Sequence, residues 1–273
     1  MLEKLKSLLP HKLRAFSVHL LISLVIFAAL LYLILVEWYA PPWFAIDGGW
    51  QGVRIAIGVD LVLGPVLTFM IFNPQKSRRE LTLDFSLIAL IQLGALAWGV
   101  QLIHQQRPLA IVHWNGAFNS VDGKSAGFKT FAPEKLDAFG EKRPVIVYQQ
   151  EPESDERKIE MVMAIFGSDQ GEYEHPDLWR PLAPHLDEVF AKQVDIKRLT
   201  EKHPREVERL LRKHGAKPEE LRYVAFSGRY EEATLVLKPD GAVIGTLPAL
   251  PPEPKKPQEA PKSPEKPPTK PQA

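Results

Sequence analysis

From Ala15 to Val36 the chain runs for 22 residues without a formal charge. At about 1.5 Å of rise per residue, a helix of that length crosses a hydrocarbon core of about 30 Å. A cleaved secretory signal has a shorter apolar stretch that ends in small residues. Here the exit is Glu37-Trp38-Tyr39-Ala40-Pro41-Pro42, whose prolines disfavour cleavage, so the run reads as a retained anchor. Two further runs are long enough to span, Ile55 to Phe72 and Phe85 to Ile103. Few helices of a water-soluble core are apolar on every side, which favours lipid as their surroundings. Pro74 closes the second helix, and Ser77-Arg78-Arg79-Glu80 has the spacing of a capping box that opens the third.

Lys and Arg in short loops are retained on the cytoplasmic side of a membrane. Lys4, Lys6, Lys12 and Arg14 precede the first span, and Lys76, Arg78 and Arg79 lie between the second and third. The connection from Glu37 to Gln51 has neither Lys nor Arg. It carries Trp38, Tyr39, Trp43, Phe44 and Trp50, rings expected at the lipid-water boundary. The expected arrangement is a cytoplasmic N-terminus (1–14), spans at 15–36, 55–72 and 85–103, an outer aromatic loop (37–54) and an inner loop (73–84). Everything past the third span then lies outside.

Residues 104–247 have the mixed composition of one water-facing domain. Extended stretches are predicted at Leu109 to Trp114, Val145 to Gln149, Leu221 to Ser227 and Ala233 to Leu237, from β-branched and aromatic enrichment. Lys238-Pro239-Asp240-Gly241 is a turn that returns Val243-Ile244 as a partner strand. Pro204 to His214 reads as a helix with Val207, Leu210 and Leu211 on one face and Gly215 at its end; Pro133 to Phe139 and Leu186 to Gln193 are weaker helical patterns. Ten of the 25 prolines fall in 248–273, a tail with almost nothing to bury and so expected to be disordered or polyproline II. The predicted class is α+β: a three-helix transmembrane anchor, a mixed α+β domain and a disordered Pro-rich tail.

A net charge of +1 gives no general pull toward nucleic acid, and the absence of cysteine excludes thiol catalysis and cysteine-ligated metal centres. No phosphate-binding loop, nucleophile elbow, zinc-protease or dinucleotide motif is present. The eight histidines show no ligand spacing, so no catalytic, cofactor or metal site is expected. The informative pattern is in the second span. Gly52, Ala56, Asp60, Gly64 and Thr68 recur every fourth residue and share one small, polar helix face. Ala89, Gln92, Ala95 and Gly99 give the third span a similar face. An ionised acid in the membrane costs several kcal/mol, so Asp60 needs a partner or a proton. Counted from the outer ends of their spans, Tyr32 and Asp60 lie at comparable depth and are in a position to meet. Pro65, after Gly64, would bend the helix beside them. The same acid fits three roles: locking the three helices together, meeting a polar group of another membrane helix, or relaying protons.

The run GVDLVLGPVLTFMIFNPQKSRREL from Gly58, followed by DFSLIALIQLGALAWGVQ and Arg107-Pro108, resembles the type IV pilin accessory proteins, the TfpX/TfpZ and FimB-like fimbrial assembly family. Arg14-Ala15-Phe16, His19 and Gly48-Gly49 are similar too. The likeness spans roughly 10–250, is most specific over 48–108, and omits the tail. It implies a non-enzymatic, chaperone-like protein of the bacterial inner membrane, with its C-terminal domain in the periplasm. Its partners would be the cognate type IV major pilin, the pilus assembly machinery and membrane lipid. Such pilins have a long apolar helix, stored in the membrane before assembly, and a globular head outside. On this reading the second and third spans hold the pilin helix and the outer domain meets the head. The alternative is a periplasmic sensor or wall-spanning transducer held by the same three helices.

Overall fold

The computed structural model describes residues 2–129, 131–167 and 171–251. Helix α1 (Leu2–Tyr32) continues as a π-helix over Leu33–Trp38. After the short α2 (Trp43–Ile46), α3 (Gly49–Ala56) passes through a π-helical stretch, Ile57–Leu63, into α4 (Gly64–Ile71). The widened turn lies just before Pro65, which has no N–H to give to a preceding carbonyl. Helix α5 (Arg78–Gln105) opens on the capping box: Ser77 Oγ accepts from the Glu80 amide, and the Ser77 amide donates to Glu80 Oε2 at 2.7 Å. Among the described residues three helices are long and apolar enough to cross a membrane, Leu8–Trp38, Gly49–Ile71 and Arg78–Gln105, each longer than the apolar run that predicted it.

A seven-stranded mixed sheet follows directly on α5. It comprises β1 (Pro108–Trp114), β2 (Ala117–Asp122), β3 (Val145–Gln149), β4 (Trp179–Pro181), β5 (Arg222–Ser227), β6 (Glu232–Leu237) and β7 (Val243–Pro248), in the order β4-β3-β1-β2-β5-β6-β7. The β1–β3 and β2–β5 pairs are parallel, the other four antiparallel. Side chains alternate across the strands, so Ile111, Phe118, Phe226 and Leu235 pack on one face. Val112, Val147, Tyr223 and Val236 serve the other, where Leu136 and Trp179 cover one half. Helices α8 (Ile196–Lys202) and α9 (Pro204–His214) cover the second half through Leu199 and Val207. Between β3 and β4 runs α6 (Asp155–Gly167), and α7 (Leu186–Val189) follows β4.

Several expectations need correction. Strands β2 and β4 and helices α6 and α8 add to those anticipated. Pro133–Phe139 is a 3-10 helix, and the helix expected over Leu186 to Gln193 is a single turn. Pro248, predicted to begin the tail, ends β7; residues 252–273 lie outside the described residues.

The largest correction concerns the aromatic loop. Trp43 is only 6% exposed and packs with Ile46 into the sheet core, its ring centroid 5.7 Å from that of Phe226. It is therefore a core residue of the sheet and not a boundary ring. Tyr39 is also buried and donates its hydroxyl to the Ile103 carbonyl at 3.1 Å, while Trp50 is the exposed member of the group. The seam is tied by backbone as well. The Tyr230 amide donates to the Ile46 carbonyl at 3.2 Å, and the Arg229 amide to Asp47 Oδ1 at 3.1 Å. Asp47 is 2% exposed, and its burial pushes the carboxyl up to about 6, against the opposing hydrogen bonds from Arg229 and Ser120. Anchor and sheet thus share one packed junction.

Candidate functional site

The four-residue spacing in the second span places one face inward. Gly52, Ala56, Asp60, Gly64, Pro65 and Thr68 are all buried. Toward the sheet the three spans pack tightly: Leu30, Ile34, Tyr39, Val53, Ala56 and Ile103 form one cluster, and Gly52 lets Ile103 close in. At the other end Lys12 donates to the Phe69 and Met70 carbonyls, both at 3.1 Å, pinning the first span to the last turn of α4. Away from the cluster near the sheet, the first and third spans part. A cleft of about 700 Å³ opens there, with the second span at its back.

The walls of the cleft are mostly apolar, from Val18, Ile22 and Ile26 on one side and Ile88, Leu93 and Leu96 on the other. Polar groups gather toward its back: His19 and Ser23 from the first span, Asp60 and Thr68 from the second, Gln92 from the third. His19 Nδ1 and Thr68 Oγ1 are 2.6 Å apart, a hydrogen bond between spans. Gln92 packs where Gly64 has no side chain, and a Cβ there would collide with its carboxamide. Asp60 is 5% exposed, lines the cleft, and has no hydrogen-bond partner for its Oδ2 among the described residues. An unpaired carboxyl oxygen in so apolar a setting is costly, and a donor entering the cleft would relieve it.

Of the other predicted residues Ala89 lines the cleft, while the rest fall elsewhere. Tyr32 is 59% exposed and is not among the residues lining the cleft, so the suggested meeting with Asp60 does not occur. Ala95 is exposed, and nothing lies within 4 Å of a Cβ placed on Gly99. The inward face of the third span follows Ile88, Gln92, Leu96 and Val100, four apart, which turns Ala95 away. The first span contributes more than its apolarity implies. His11, Ala15, His19 and Ser23, again four apart, all line the cleft, and that spacing is visible in the sequence. Among the described residues no group of three or more His, Asp or Glu is placed to hold a metal ion.

The fimbrial assembly protein of serogroups C1 and C2 from Dichelobacter nodosus is 42% identical over 96 residues, which are 35% of this chain and 73% of that protein. Those of serogroups I and E1 from the same organism are also 42% identical over 96 residues, in each case 37% of the relative's length. The chain thus matches little more than a third of these two longer relatives. No family model and no solved structure matches. At that identity, and with nearly three quarters of the C1 and C2 protein covered, the chain belongs to the fimbrial assembly protein family.

Proposed function

We propose that this chain is an inner-membrane accessory protein that assists a type IV pilin in its stability, assembly or surface display. The cleft receives the pilin's apolar helix from the lipid, and the sheet domain, on the periplasmic side, meets the pilin head. The carrying observation is the cleft itself, with apolar walls suited to an apolar helix and the unpartnered Asp60 oxygen toward its back. Helices associate in lipid through close packing and hydrogen bonds, and the cleft offers both. The first and third spans form its walls, so the grip extends beyond the second and third spans alone. The chain acts by contact, without catalysis of its own. The positive charge before the first span and between the second and third supports a cytoplasmic N-terminus. The names of the relatives support a role in fimbrial assembly.

Crosslinking of the cognate pilin within the membrane tests this directly. Asp60→Leu removes the polar anchor, and Gly64→Leu drives a side chain into Gln92 and distorts the back of the cleft. Both variants should lose most of the crosslink and of surface piliation. Full crosslinking and full piliation in both would overturn the cleft as the pilin's seat.

A further inference from the structure

A second concave site lies at the other end of the sheet. Strand β1 leaves α5 at Pro108 and reaches its far end at Trp114, where Asn115-Gly116 turns into β2 with both residues at positive φ. Beside that turn is a pocket of about 370 Å³. His113 lines it, only 3% exposed, and neither ring nitrogen has a hydrogen-bond partner among the described residues. Its ring stacks on Tyr148 at 5.8 Å between centroids, and His185 stacks on Tyr148 at 4.2 Å. Burial draws the His113 imidazole down to about 4, so at neutral pH it is uncharged and one nitrogen is a bare acceptor.

The rest of the lining is rich in acceptors and poor in spare donors. Glu151, Glu172 and Glu188 stand against one cation, Lys192, whose ammonium is tied to Asn115 Oδ1 at 3.1 Å. Tyr148 donates to Glu188 at 2.5 Å, Trp114 to Glu172 at 3.2 Å and Gln149 to the Glu172 carbonyl at 2.6 Å, which engages these three donors within the protein. Neither Glu151 nor Glu172 is in an ion pair with any described residue. A complementary ligand brings positive charge and several donors that diverge toward an imidazole and separate carboxylates. Guanidinium has five such N–H groups in a plane and sheds water more readily than an ammonium.

We infer that this pocket binds an alkylguanidinium group, with His113 accepting from it inside and Glu151 and Glu172 pairing with it at the rim. The inference stands apart from the pilin reading, because the pocket lies at the end of the sheet remote from the cleft.

Isothermal titration of the full chain in detergent at pH 7 tests it, with an acetylated, amidated Gly-Arg-Gly peptide as the probe. Saturable binding is expected, about tenfold weaker in the Glu151→Gln/Glu172→Gln double variant through the loss of charge-assisted hydrogen bonds. A Glu201→Gln/Glu206→Gln control on α8 and α9 should bind as wild type. The lysine peptide should bind more weakly, and the citrulline peptide, isosteric but uncharged, should not bind. The imidazole resonances of His113 should move with saturation. No saturable binding of the arginine peptide, equal binding of the citrulline or lysine peptide, or an unaffected double variant would each overturn the assignment. Agmatine tells the source of the group: tighter binding of the peptide assigns it to a partner chain, tighter binding of agmatine to a free small molecule, and both retain the guanidinium.

Discussion

The anchor and the seam beneath the sheet are both made of packed apolar side chains, yet one stays open and the other is sealed. Between the first and third spans lies a cleft of about 700 Å³, while at the seam Trp43 and Ile46 are pressed into the sheet core with almost no exposed surface. The surroundings account for the contrast. In water, exposed apolar area drives closure, at about 25 cal/mol for each Å² removed. The sheet therefore draws two side chains from the anchor's loop to complete its core. In lipid the acyl chains are as apolar as leucine, so closing an apolar cleft gains little. The first and third spans remain parted there because lipid, or another helix, fills the space equally well. Polar groups rather than apolar area then decide what is held.

Truncation at the seam should have the largest effect. Trp43→Ala removes a buried indole from the sheet core, and such substitutions cost about 3–5 kcal/mol. The expected result is a marked drop in the thermal midpoint of the purified chain in detergent, together with protease sensitivity at residues 39–48. An unchanged midpoint would mean that the loop is not part of the sheet core, and the contrast would lose one of its two sides.

The seam's charge should act with the opposite sign and a smaller magnitude. Asp47 titrates at about 6 in the fold against an ordinary 3.8, so the folded chain holds a proton that the unfolded chain gives up. Its contribution is fully present below about 3.8 and is lost as the pH rises through about 6. The difference corresponds to up to about 3 kcal/mol of strain at pH 7. Asp47→Asn keeps the oxygen that accepts from the Arg229 amide and removes the charge. It should raise the midpoint at pH 7 and leave it unchanged near pH 3.5. His113 has the reverse dependence, since its depressed value contributes stability above 6.5 that fades as the pH falls through about 4. Comparing variant with wild type at each pH cancels that contribution. A gain from Asp47→Asn that is the same at every pH would show that burial of the carboxylate is not its cause.

The anchor was legible because lipid imposes simple rules on sequence. Length and absence of charge mark the spans, and a four-residue spacing marks the inward face from Gly52 to Thr68. The same spacing through His11, His19 and Ser23 is hidden by the hydropathy around it, which draws the eye to the apolar run. Strands β1, β3, β5 and β6 announce themselves through β-branched and aromatic residues. Strand β2, with Asn119, Ser120 and Asp122, has a weaker local signal and owes its place to pairing between β1 and β5. Strand β4 is three residues long at the sheet edge. Trp43 was misassigned because an indole near a span end satisfies the boundary rule and the core rule equally, and only the tertiary fold separates them. The distal pocket had no linear signature at all. Its residues come from β1, β3 and the segments around Glu172 and Glu188, which are brought together by the sheet order.

The smallest expected effect is the one that tests the open cleft most closely. Thr68→Val keeps the shape of the side chain and removes the hydroxyl that pairs with His19 Nδ1 at 2.6 Å. Hydrogen bonds between membrane helices contribute about 0.6 kcal/mol on average, because partly unfolded helices in lipid also find partners. The first span is held besides by Lys12 on the α4 carbonyls and by the cluster around Ile34 and Tyr39, both untouched by the change. The thermal midpoint of Thr68→Val should therefore lie close to wild type, and in-membrane crosslinks between the first and second spans should persist. A loss as large as that of Trp43→Ala would show that a single polar contact holds the walls of the cleft in place. The anchor would then depend on one buried bond much as the seam depends on one buried ring, and the difference between the two surroundings would no longer account for the open space between the spans.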